Sequence, residues 1–96
     1  MSKYELIYII DRDLTEDKRE ELIAKLKSYV EERKSEIIAL DKWGMKKLAY
    51  PINYKHEGYY VFMTFSTQDN NLVGEMSKYL NITENVVRHM FVKKEN

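Results

Sequence analysis

Two adjacent lysines, Lys46 and Lys47, stand directly before Leu48-Ala49-Tyr50-Pro51 and shortly before an aromatic, strand-like run from Tyr59 to Ser66. Cations beside aromatic side chains are suited to holding a phosphate backbone while reading little base sequence. Catalysis has a weaker footing. His56 and His89 have no serine or cysteine nucleophile pattern near them. No HExxH, phosphate-cradling glycine loop or paired metal-ligand motif occurs. The carboxylates lie mostly on the first helical segment or in turns, and His56 reads as a solvated turn residue. No catalytic residue, metal, cofactor or small-molecule substrate is expected.

Net charge does not draw this chain toward polyanions, because sixteen lysines and arginines balance sixteen aspartates and glutamates. Any attraction must be local. Lys42 to Glu57 carries four lysines against one glutamate, and Val86 to Asn96 carries Arg88, Lys93 and Lys94 against Glu95. Asp11 to Glu36, by contrast, has nine acids and seven bases. Lysines on an edge strand also discourage pairing with a second chain, so the phosphate and edge readings stand side by side here.

The 96 residues allow one core and predict a single domain, 1–96. The absence of cysteine excludes disulfides and thiol catalysis and fits a reducing compartment. The opening "MSKYELIYII" lacks the apolar length of a signal peptide. Nothing approaches the roughly 20 apolar residues of a membrane span. A cytoplasmic chain without membrane contact is expected.

The elements that must position these residues follow from periodicity. Lys3 to Ile10 is rich in branched and aromatic types and reads as a strand. Thr15 is a good N-cap for a helix whose buried stripe is Leu22, Ile23, Leu26, Tyr29 and Val30, with Arg33 and Lys34 at its C-terminal end. Glu36 to Ile52 predicts a long strand with a kink or bulge near Trp43-Gly44, and Pro51 ends its regular pairing. "NYKHEG" predicts a hairpin loop, followed by the Tyr59–Ser66 strand. Thr67 or Asp69 starts a second helix with Leu72, Val73, Met76 and Leu80 buried, and Val86 to Lys93 is the last strand. This order predicts an α+β, ferredoxin-like βαββαβ sandwich: a four-stranded antiparallel sheet with both helices on one face.

The other face is then bare. In the first strand Tyr4, Leu6, Tyr8 and Ile10 suit the core better than the set containing Glu5, so Ile7 and Ile9 fall outward. Tyr59, Val61, Met63 and Phe65 go inward, leaving Tyr60 and Phe62 outside; Arg88 and Met90 also face outward, with His89 toward the helices. An apolar patch fringed by cations marks a binding surface. Acylphosphatase uses the same fold, but the glycine and arginine pattern of its phosphate loop is missing. An RNA-recognition motif shares the strand order, yet its base stacking would need Tyr8 and Tyr59 on the bare face. A self-associating or small-ligand-binding module is the other alternative.

Nearly the whole chain, from "KYELIYII" to "VVRHMFVKK", resembles the bacterial ribosomal protein numbered six of the small subunit. "DKWGMKKLAYPI", Gly58-Tyr59 and "VVRHM" carry most of the likeness. The resemblance implies a non-enzymatic protein that binds the central domain of 16S ribosomal RNA as a heterodimer with the eighteenth small-subunit protein. It places Lys46, Lys47 and Arg88 on RNA, with Lys3 and Lys93 at further basic positions. The register argument adds Tyr60, Phe62, Ile7, Ile9 and Met90 as the partner-protein surface. Leu48 and Ala49 are expected to pack, with Tyr50-Pro51 shaping the route into the hairpin. His89 departs from the small or aliphatic residues familiar at its position. The sequence also ends at Asn96 without the long tail of some members, so tail contacts are not expected.

Overall fold

The computed structural model describes residues 2–52 and 54–94. Six elements follow in order: β1 Ser2–Asp11, α1 Glu16–Glu31, β2 Ser35–Ile52, β3 Lys55–Thr67, α2 Leu72–Ile82 and β4 Val86–Lys94. The strands form one sheet in the order β2-β3-β1-β4 with every neighbour antiparallel. This is the ferredoxin-like α+β sandwich.

Strand alternation decides what the helices cover. Leu6, Tyr8 and Ile10 of β1 join Val61, Met63 and Phe65 of β3 in the core. Ile23, Leu26 and Val30 of α1 and Leu72, Met76 and Leu80 of α2 close it from above. Aligned rows of this kind turn the opposite parity of each strand, Ile7 opposite Phe62 and Ile9 opposite Tyr60, toward the uncovered side. His89 shares the core parity of Tyr8, its cross-strand partner. Its Nε2 lies 3.1 Å from Ser77 Oγ on α2, and burial lowers its pKa from the ordinary 6.5.

Thr15 caps α1 as expected, its Oγ1 accepting from the Lys18 amide. The other end differs from the sequence reading. The helix stops at Glu31, and Arg33 and Lys34 lie beyond it, Lys34 in the left-handed region (φ 54). Arg33 still serves the terminus, because its Nη1 donates to the Tyr29 carbonyl at 2.8 Å. Its guanidinium covers the Tyr29 ring at 3.5 Å, and Tyr29 stacks on Tyr79 of α2 at 5.0 Å with planes 5° apart. Thr67 and Asp69 do not cap α2 either. Each accepts a backbone N–H two residues on, from Asp69 and Asn71, forming the turn before Asn71 takes the cap position.

β2 is long but not continuous. Its pairing shifts between Ile37 and Ala39, between Lys42 and Gly44, and between Lys47 and Ile52. The middle break is the predicted bulge, and Gly44 there has φ +86, where a side chain would be strained. The hairpin is tighter than "NYKHEG" suggests: Ile52 already pairs with Lys55, and His56 lies in β3 rather than in a loop. Tyr54 takes a left-handed φ of 65 beside it. Asn53, also assigned to that loop, lies outside the described residues.

Candidate nucleic-acid interface

On the uncovered face, Trp43 is the residue displaced by the middle bulge. Its indole stacks on Phe62, with centroids 5.3 Å apart and planes at 8°. Trp43 remains 47% exposed and shares a groove with Tyr60, Lys46 and Lys47. A second groove continues across the sheet over Ile7, Tyr60 and Met90 to Arg88. Met90, 55% exposed, is its open wall on the β4 edge. The face therefore presents aromatic and thioether surface in its middle.

Ile9 behaves differently from Ile7. It is only 8% exposed, although no helix covers it. A Cβ added at Gly58 would fall within 3.0 Å of Ile9 Cγ2, and Leu48 Cδ2 lies 3.5 Å from the same point. Ile9 and Leu48 thus fill the space that Gly58 leaves open. Ile9 is a footing within the chain and offers little surface to a partner. Leu48 is half-buried as expected, whereas Ala49 is exposed.

Cations are sorted by their partners. Lys42 pairs with Glu20 of α1, and Lys55 holds Asp11 and Asp13, each at 2.8 Å. Hydrogen bonding from Lys55 lowers the Asp11 pKa. Half of the lysines in the basic segment are therefore engaged within the chain. Among the described residues Lys46 and Lys47 make no ion pair, and both are exposed. Lys94 pairs with Glu5. Arg88 lies with its guanidinium 4.6 Å from the Tyr50 ring centroid.

The five expected RNA residues do not form one cluster. Lys46 pairs with Gly58, which pairs with Asp11 at one end of β1; Lys3 stands eight residues away at the other. At about 3.4 Å per residue that separation is roughly 27 Å. Lys93 pairs with Tyr4 and takes the helix-side parity, opposite to Lys3. Lys46, Lys47 and Arg88 share one end of the sheet. The RNA-recognition-motif alternative loses its stacking pair, because Tyr8 is fully buried and Tyr59 lies under the Arg19 guanidinium at 4.0 Å. Trp43 and Tyr50, which the sequence reading left out of the site, are the large aromatic additions.

The family model for ribosomal protein S6 matches residues 3–93. The chain belongs to the ribosomal protein S6 family. Among S6 relatives, the small ribosomal subunit protein bS6 of Caldanaerobacter subterraneus is 38% identical over the full length of both chains. That of Fusobacterium nucleatum is 40% identical over 99% of this chain and all of its own. The crystal structure of S6 from Thermotoga maritima superposes with a TM-score of 0.90 at 30% identity, covering 97% of this chain and 87% of that one. A protein of Arabidopsis thaliana, at 16% identity and a TM-score of 0.58, shares the fold alone. S6 membership makes this chain a small-subunit ribosomal protein, hence a component of the cytoplasmic bacterial ribosome.

Proposed function

We propose that this chain is a structural, non-catalytic constituent of the small subunit that binds the central domain of 16S ribosomal RNA jointly with the eighteenth small-subunit protein. The observation that carries the reading is the uncovered sheet face. Its apolar middle, built on the Trp43–Phe62 stack, ends at two exposed lysines that no carboxylate in the described residues engages. Ile7, Tyr60, Phe62, Trp43 and Met90 meet the partner protein. Lys46, Lys47 and Arg88 meet phosphate, with Lys3 and Lys93 as separate contacts at the far end. Because the net charge is zero, the partner must supply much of the affinity for RNA.

The test is the salt dependence of heterodimer binding to a central-domain RNA fragment. Each phosphate contact contributes roughly 0.7–0.9 to the slope of log affinity against log salt. Replacing both Lys46 and Lys47 by Ala should lower the slope by about 1.4–1.8 and weaken binding most at low salt. An unchanged slope removes the two lysines from the RNA.

A further inference from the structure

Residues 48–51 of β2 stand opposite the single residue His56 of β3, between the Lys47–Glu57 and Ile52–Lys55 pairs. Ala49, Tyr50 and Pro51 are exposed, but the surplus chain lies against the bare face, where Leu48 and Tyr50, with Ile52, line a small open pocket shared with Ile9, Tyr60 and Arg88. Leu48 is seated at Gly58, and Tyr50 reaches the guanidinium of Arg88 on β4, two strands away from β3. Tyr50 is 50% exposed, so burial of its own ring does not account for its position.

A guanidinium stacked flat on an aromatic ring uses its face for that contact, while its N–H donors lie in its plane and remain available for a phosphate. An unsupported arginine on an edge strand must instead give up its rotamer freedom when it binds. We propose that Tyr50 is a positioning residue, holding the Arg88 guanidinium flat at the end of the sheet with its donors turned outward for an RNA phosphate. This inference rests on the reading above that Arg88 contacts RNA. It assigns a role to the surplus residues of β2: they carry an aromatic platform from one edge of the sheet to a cation on the other.

The experiment is a double-mutant cycle on heterodimer binding to the central-domain RNA fragment. Arg88→Ala should weaken binding and lower the salt slope by about 0.7–0.9. Tyr50→Leu should weaken binding about two- to fivefold, the scale of an exposed cation–π contact, and Tyr50→Phe should bind as wild type. With Arg88 already Ala, Tyr50→Leu should have no further effect. In the free wild-type protein, the Arg88 δ protons should show an upfield ring-current shift.

Equal loss from Tyr50→Leu in both backgrounds would make the residue merely structural and overturn the inference while leaving Arg88 on RNA. A silent Tyr50→Leu, or unshifted δ protons in the wild type, would overturn it equally. A silent Arg88→Ala with an unchanged slope would sink the phosphate assignment itself, and the role of Tyr50 with it.

Discussion

Gly58→Ala is a small substitution with a calculable consequence for the bare face. The added methyl would lie within 3.0 Å of Ile9 Cγ2, and 3.5 Å from Leu48 Cδ2. Carbon atoms in ordinary contact sit about 3.5–4.0 Å apart. Ile9 cannot simply swing away, since branching at Cβ restricts its χ1 and Tyr60 stands directly opposite. Relief therefore needs an off-rotamer side chain or a shifted strand, and overpacking of this kind costs about 1–3 kcal/mol. Alanine recovers about 0.4–1 kcal/mol by restricting the unfolded chain.

The expected net loss is about 1–2 kcal/mol. At about 4–8 °C per kcal/mol for a domain of this size, Tm should fall by roughly 5–15 °C. Urea unfolding of the isolated protein measures it, with Ile9→Ala as the second arm of a cycle. Once the clashing methyl is gone, Gly58→Ala should become neutral or slightly stabilising, giving a coupling of at least about 1 kcal/mol. A wild-type-like Gly58→Ala, or the same loss with and without Ile9, would refute the packing argument.

Phe62→Glu should break the Trp43 stack and weaken heterodimer formation at least about tenfold, as loss of an interface anchor does, while circular dichroism shows the fold intact; unaltered calorimetric affinity would exclude Phe62 from the interface. Asp11 has its pKa lowered from 3.8 by Lys55. Its contribution is therefore full above that value and lost as pH falls through the lower folded value. Asp11→Asn should flatten the acid limb of a stability–pH curve, and parallel curves would contradict this. His89 also has a lowered pKa, so the folded state resists protonation and stability should decline as pH falls below 6.5. His89→Val should remove that decline, which urea midpoints across the range will report.

The two faces of the sheet were legible because strand alternation is strict and the acid Glu5 marks the outward row of β1. The same rule placed His89 toward α2 despite its polarity, and Gly44 signalled the bulge. What alternation cannot reveal is which residue a bulge expels, so Trp43 was seen as a kink marker and not as the partner of Phe62. An aromatic residue beside a strand glycine was the available clue. Lys42 and Lys55 looked equivalent to Lys46 and Lys47 because their carboxylate partners, Glu20 and Asp11, lie far away in sequence. Only the assembled fold distinguishes engaged cations from free ones. The hairpin was misjudged for a related reason: a polar composition suggested a loop where Lys55 already pairs with Ile52 and His56 lies within β3.

The Arg33–Tyr29–Tyr79 column fastens α1 to α2, and Arg33 Nε also comes within 4.0 Å of Glu75 Oε2. Behind the sheet the two helices are thereby tied into a single slab, so hydrogen exchange there should report one cooperative opening and not two. The far arm of β2 is held by side chains, Leu48 at Gly58 and Tyr50 on Arg88, while four of its residues lack regular ladder partners. Amides of that arm should exchange first, through local fraying that leaves the slab closed. Adjustment to a neighbouring molecule would then be confined to the arm, and the core would transmit almost none of it.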